Sequence, residues 1–124
     1  MSDMNRKTVA LEFLQLAREG QRPAAERLVA PGGRHHNPYF SAGMPALLDA
    51  IEAAAKTSPG RTSDVQRVVA EGDYVVVHSH VRQQPGVPGT AVVHILRFEG
   101  DRIAELWDVG QPVPAESPNA DGMF

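Results

Sequence analysis

The hydrophobic period of the chain changes once, and this change constrains the fold more than any other feature of the sequence. Before Ser58-Pro59-Gly60 apolar residues recur at helical spacing, and from Ser63 onward the period is two. Helices that precede a meander of strands are typical of an α+β fold, whereas a doubly wound sheet needs helices between its strands. We therefore expect three N-terminal helices packed on a strongly curved antiparallel or mixed sheet. Such a cone-shaped half-barrel has an open mouth that can hold a small molecule.

Three segments carry helix signals in the first half of the chain. Ser2 or Asp3 can cap the first helix, and Gly20 can end it. Pro23 predicts a short second helix over Ala24–Ala30 that Pro31-Gly32-Gly33 stops, followed by an extended stretch, Arg34–Phe40. The third helix is predicted over Gly43–Thr57.

Four strands are predicted in the second half, joined by short turns and one Pro- and Gly-rich loop, Gln84–Gly89. They are Asp64–Glu71, Tyr74–Gln83, Thr90–Glu99 and Arg102–Gln111. The remaining segment, 112–124, is Pro-rich, and its last two residues are Met123 and Phe124. We expect these two large apolar side chains to dock on the cone or on a partner subunit, and the alternative is a disordered tail.

Composition limits the chemistry that the chain can use. Its 124 residues suit a single domain, 1–124, and the absence of Cys excludes disulfides and thiolate metal sites. The net charge of −3 disfavours nucleic-acid binding, and no apolar run predicts a membrane helix or a secretory signal. The cytoplasm is the expected compartment.

Five His provide the most plentiful chemistry near neutral pH. His78 and His80 share one face of a predicted strand, and a loop centred near Gly86 places His94 opposite His78. Adjacent imidazoles on an inward face predict a cavity that holds water or ligand, because buried polar rings need partners. The alternatives are ordinary packed His residues and a metal site formed by all three.

Asp108 is the candidate general base, and it follows Trp107 near the end of the last predicted strand. A strict two-residue turn at Gly100-Asp101 places Trp107 across from His94, whereas a bulge places Asp108 there. Both registers remain open at the level of the sequence.

Several motifs together resemble the SnoaL-like polyketide cyclase family of the nuclear transport factor 2-like superfamily. They are His36-Asn37-Pro38, the strands Asp73–His80 and Ala91–Arg97, Gly100–Asp108, and an ending with Gln111–Pro114 and Asn119–Phe124. The ending is similar to that of a bacterial subgroup predicted to catalyse aldol condensation. The resemblance implies a cone-shaped α+β barrel, a homodimer, and acid–base catalysis by Asp108 without metal or cofactor.

The predicted function is that of a cofactor-free lyase or isomerase acting on a small carbonyl compound. Asp108, or a His of the pair His78 and His80, would remove a proton α to the carbonyl. His36 or another His of the pocket, with Asn37, would bind the enolate oxygen. The expected substrate-binding residues are Asn37, Tyr39, His94, Trp107 and Gln111. We expect a small molecule and a second copy of the chain as partners, and neither nucleic acid nor membrane. The alternatives are a non-catalytic binding dimer and a metal site at His78, His80 and His94.

Overall fold

The computed structural model describes residues 2–124 as helices followed by an open, curved, five-stranded sheet. The elements are α1 (Asp3–Arg18), α2 (Arg22–Glu26), β1 (Val29–His35), α3 (Met44–Thr57), β2 (Thr62–Glu71), β3 (Tyr74–Arg82), β4 (Thr90–Glu99) and β5 (Arg102–Pro112). The strand order is β1-β5-β4-β3-β2, and only the β1–β5 pair is parallel. The predicted α+β architecture with a mixed sheet is confirmed. None of the helices in the described range has the length and apolar character needed to span a bilayer.

The two long helices bury one stripe each against the inner face of the sheet. Ser2 caps α1 by accepting a hydrogen bond from the Asn5 amide at 3.2 Å, and Ala10, Phe13 and Ala17 form the buried stripe of this helix. In α3, Leu47 and Leu48 are buried on the side that faces the sheet. Burial of these side chains holds both helices over the strands and leaves a space between the two layers.

The sheet core consists of the residues that alternate inward on the three central strands. Val75 and Val77 of β3 are fully buried, as are Leu96 of β4 and Ile103 of β5. Their neighbours in sequence point to the opposite, outer face of the sheet, because side chains alternate along a strand. The strand and turn boundaries predicted from the period of two agree with these strands to within a few residues.

The predicted second helix over Ala24–Ala30 is wrong in its second half. The helix ends at Glu26, and Val29–His35 forms the edge strand β1 instead of a helix stop and an extended stretch. The cause is tertiary, because the outer edge of β5 needs hydrogen-bond partners and the Ile103 amide donates to the Leu28 carbonyl at 2.8 Å. Pro31 is tolerated because β1 lies at the edge of the sheet.

The C-terminal segment folds back over the outer face of the sheet. The ring of Phe124 stacks on His80 with centroids 4.2 Å apart and on His78 with centroids 5.7 Å apart. The Val113 amide, at the start of this segment, donates to the Gly89 carbonyl at 2.9 Å. The prediction that the chain end docks on the cone is confirmed for Phe124.

Candidate functional site

A cavity of about 500 Å³ opens between the helices and the inner face of the sheet. Its walls are mainly apolar and come from α1, α3 and the four antiparallel strands, together with the segment after β1. Its polar lining residues are Gln15, Arg18, Asn37, Arg61, Ser63, Ser79, His94 and Asp108. A volume of this size and a mostly apolar wall with few polar groups are typical of a small-molecule site.

The pairing of β3 with β4 separates His94 from the two other strand His residues. Val81 pairs with Thr90, so the chain reverses between Pro85 and Gly86 rather than at Gly86. His94 therefore lies opposite Val77, and the predicted position opposite His78 is wrong. A shift of one residue in the register moves a side chain to the other face of the sheet.

The same register separates the three His residues, His78, His80 and His94, that the alternative of a metal site requires to lie together. His94 faces the cavity, whereas His78 and His80 lie on the outer face with Phe124, so the three imidazoles do not converge. Within residues 2–124, no group of three or more His, Cys, Asp or Glu side chains is arranged to hold a metal ion.

The pairing of β4 with β5 decides which side chain faces His94. Phe98 pairs with Ile103, but Arg97 pairs with Glu105, so the register shifts by one residue at Ala104. This bulge brings Asp108 directly opposite His94, and both side chains line the cavity. Of the two registers left open by the sequence, the bulged one is present.

Asn37 connects the segment after β1 to the carboxylate of Asp108. Its Nδ2 donates to Asp108 Oδ2 at 3.0 Å, and its own Oδ1 accepts from the Tyr39 amide at 2.9 Å. The second contact is a local Asx turn that fixes the side chain of Asn37. One oxygen of Asp108 is therefore held in place by a rigid amide.

His35 holds the backbone of Asn37 in place, and it is not among the predicted site residues. Its Nδ1 accepts from the Asn37 amide at 3.1 Å, and its Nε2 lies 2.7 Å from the Ser41 carbonyl oxygen. An amide only donates and a carbonyl only accepts, so the buried ring of His35 is neutral with its proton on Nε2. The signal in the sequence is its position at the end of a strand, two residues before a turn-forming Asn.

His94 is an imidazole without a hydrogen bond to its Nδ1. This atom is buried and has no partner among the residues that the structure describes. Burial lowers the pKa of His94 below its ordinary value of 6.5, and the nearby carboxylate of Asp108 raises it by less. The cavity thus contains a neutral imidazole facing a carboxylate.

Three predicted catalytic residues lie on the outer face instead of in the cavity. His36 stacks on Trp107 with centroids 4.8 Å apart and donates from Nε2 to Glu105 at 2.5 Å. His78 and His80 pack against Phe124, and Nε2 of His80 donates to the Pro88 carbonyl at 2.6 Å. These contacts give the three imidazoles structural partners away from Asp108.

The hydrogen bond from His36 also stabilises the charge of Glu105, whose side chain is almost fully enclosed. This bond holds the pKa of Glu105 below its ordinary value, and Arg97 and Arg34 act in the same direction. Glu105 is therefore a buried carboxylate with cationic partners on the outer face. Glu105 forms structural ion pairs with Arg34 and Arg97 and is not part of the cavity wall.

The predicted substrate-binding residues are likewise divided between the two faces. Asn37 and His94 line the cavity, whereas Tyr39, Trp107 and Gln111 are not among its lining residues. Tyr39 is 86% exposed, and Gln111 is exposed on β5 near the chain end. Arg18, Arg61 and Ser79 line the cavity but were not predicted to do so, although the alternation of β3 places Ser79 on the face opposite its two His neighbours.

Sequence comparison identifies the group of proteins to which this cavity belongs. The SnoaL-like domain matches residues 10–106, which is most of the chain and includes every strand of the sheet at least in part. The protein belongs to the SnoaL-like family. A comparison with curated protein sequences finds no significant match for this SnoaL-like chain.

Solved structures with the same fold support the assignment. AclR, a hydroxylase candidate from Streptomyces galilaeus, superposes with a TM-score of 0.73 at 22% identity, covering 89% of this chain and 91% of that one. TsrD from Streptomyces laurentii gives 0.72 at 23% identity, covering 89% and 90%. A polyketide cyclase candidate from Sinorhizobium meliloti gives 0.70 at 18% identity, covering 88% and 100%. At these identities the likeness shows that the SnoaL-like protein has the NTF2-like fold.

Proposed function

We propose that this SnoaL-like protein is a lyase or isomerase that moves a proton α to the carbonyl group of a small compound, with Asp108 as the general base. The observation that carries this proposal is the position of the Asp108 carboxylate inside a largely apolar cavity. Asn37 holds Oδ2, and among residues 2–124 no hydrogen bond engages Oδ1. A fixed carboxylate with one free oxygen, partly removed from water, is suited to accept a proton from carbon.

His94 provides the complementary electrophile. A neutral imidazole can donate a hydrogen bond from a ring N–H, and its lowered pKa keeps it neutral when it faces the carboxylate. Removal of a proton from carbon develops negative charge on the carbonyl oxygen, and a donor fixed in the cavity stabilises that charge without reorganising. Asp108 and His94, directly opposite on adjacent strands, can therefore act on neighbouring atoms of one substrate.

The proposed reaction needs only these side chains and the substrate. Asp108 takes the α-proton, the C–H electron pair forms the enolate double bond, and the carbonyl oxygen becomes the enolate oxygen that His94 binds. In an isomerisation, Asp108 returns the proton to another carbon. In an aldol-type cyclisation, the enolate carbon attacks a second carbonyl of the same molecule, and the new alkoxide takes the proton from Asp108. The polyketide cyclase candidate from Sinorhizobium meliloti, with the same fold, supports this second course.

Proton exchange tests the proposal without knowledge of the natural substrate. Acetophenone and α-tetralone, incubated with the protein in deuterated water, should exchange their α-protons for deuterium, as followed by proton NMR. Asp108→Asn keeps the shape of the side chain and a carbonyl oxygen for Asn37, but it removes the base. We expect the catalysed exchange to fall about a hundredfold or more. Asp101→Asn, in the turn between β4 and β5 and outside the cavity, is the matched control and should exchange at the wild-type rate.

The alternative function is a pocket that binds a small apolar compound without reacting with it. The predominance of apolar side chains on the cavity wall is the observation that favours it. Ketones that bind but exchange no faster than in buffer would support this alternative. Exchange at the wild-type rate in Asp108→Asn would remove Asp108 from the mechanism.

A further inference from the structure

Two arginine side chains line the cavity, and neither is used by the proposed proton transfer. Arg18 comes from the last turn of α1, and Arg61 from the turn between α3 and β2. In residues 2–124, neither guanidinium forms an ion pair with a carboxylate, whereas Arg6, Arg22 and Arg82 each do. The cavity wall therefore contains two cations without anionic partners.

Arg61 carries the stronger evidence. Its Nε is buried and has no hydrogen-bond partner among the described residues, which is costly for a charged donor. Its backbone amide donates to the Ser58 carbonyl at 3.2 Å, so the turn fixes the point from which the side chain leaves the main chain. Arg61 also lines a second cavity, of about 580 Å³, and with Val81 and Val92 forms the wall that the two cavities share.

Arg61 and the Asp108–His94 pair occupy different ends of the cavity. His94 lies beside Val77 of β3, and Ser63 lies beside Val81 of the same strand. The positions of His94 and Ser63 are therefore four residues apart along β3. Four residues of a strand extend about 13 Å. Arg61 precedes Ser63 in sequence and lies beyond it. Val65, Ser79 and Val92 line the cavity between the two positions, so on these strands one small hydroxyl interrupts an otherwise apolar wall. A ligand that reaches both ends has an apolar body between its two polar groups.

We infer that the cavity binds organic anions, in which a carboxylate pairs with Arg61, assisted by Arg18, and an apolar body extends toward Asp108 and His94. A guanidinium offers several donors in a planar fork that matches a carboxylate. The inference names the substrate class for the proposed reaction as carboxylic acids that carry a carbonyl group at the far end. In that respect it rests on the proposed function, but the binding of the anion does not require catalysis.

Octanoate and octanamide are the probes, because they share an apolar chain and differ in the charge of the polar end. Binding is measured on the full chain by NMR titration of backbone amide signals. The wild-type protein should bind octanoate about tenfold or more tightly than octanamide, because hydrogen bonds to charged groups are stronger than neutral ones. Arg61→Gln should reduce this preference to less than twofold with little change for octanamide, and Arg61→Lys should recover part of it. Arg27→Gln, which removes an exposed charge outside the cavity, should keep the wild-type preference.

Equal affinity of the wild-type protein for the two probes, or no binding of octanoate, would overturn the inference. A preference for octanoate that survives in Arg61→Gln would also overturn it. Arg18→Gln provides a second variant, expected to reduce the preference by a smaller factor, and its thermal melting curve shows whether it is folded. Asp108→Asn separates the two proposals, since it should lose proton exchange and still prefer octanoate over octanamide.

Discussion

The pH dependence of stability reports directly on the state of His94. Burial lowers the pKa of this imidazole, and Asp108 opposes the shift by a smaller amount. Between the ordinary pKa of 6.5 and the lower pKa of the folded state, the unfolded chain binds a proton at His94 that the folded chain does not. The free energy of unfolding should therefore be at its full value above pH 6.5 and fall as the pH falls through this interval.

The change in the free energy of unfolding with pH is limited by the single proton that His94 can bind. A single group contributes a slope of at most about 1.4 kcal/mol per pH unit. If His94 stays neutral in the folded chain, lowering the pH by one unit from 6.5 reduces the free energy of unfolding by about 1 kcal/mol. His94→Gln removes the titrating group, so its unfolding free energy should lack this component and change less with pH.

Urea unfolding, followed by circular dichroism over a series of pH values on both sides of the ordinary His pKa, measures the difference between the two proteins. The matched control is His78→Gln, which removes an imidazole from the outer face of the sheet. If His94→Gln keeps the wild-type pH dependence, His94 is not a neutral group in the cavity and cannot serve as the proposed donor. An equal flattening in His78→Gln would show that burial in the cavity is not the cause.

Two further expectations concern the outer face. Phe124 is 38% exposed and stacks on two His rings. Phe124→Ala should therefore reduce the free energy of unfolding, measured by urea titration, by about 1–2 kcal/mol. An unchanged free energy of unfolding would mean that the chain end contributes no stability. The side chains of Val69 on β2, Tyr74 on β3 and Val109 on β5 are 56%, 45% and 63% exposed, and we expect a second copy to pack on this side of the sheet. Sedimentation should show a homodimer that Val109→Asp converts to a monomer, and a monomeric wild-type protein would contradict this expectation.

The order and type of most elements could be predicted from the sequence because they depend on local patterns. The stripe of α1, the apolar face of α3 and the alternation of β3 are all periodic over several residues. The segment from Val29 to His35 could not be assigned in the same way. Its strand conformation depends on hydrogen bonds to β5, which is distant in sequence, and its Pro and Gly residues resemble a helix stop when considered alone.

The residues of the candidate cavity could be predicted only in part, and their geometry could not be predicted. Asp108, Asn37 and His94 were all candidates, and the structure brings them to one cavity. The prediction that places His78 and His80 on the same face as His94 is wrong because the centre of the loop lies half a residue before Gly86. The preceding turn residues do not specify this centre, since a loop with two Pro and two Gly can reverse the chain at several points.

The bulge at Ala104 decides the chemistry of the cavity as well as the packing of the outer face. Trp107 and Asp108 are adjacent in sequence, so one of them faces inward and the other outward. With the bulge, Asp108 meets His94 and Asn37 inside, and Trp107 stacks on His36 outside. Without it, the indole would occupy the inner position and the carboxylate would be placed among the aromatic rings of the outer face. A single extra residue in β5 therefore gives the cavity its only lining carboxylate within the part of the chain that the structure describes.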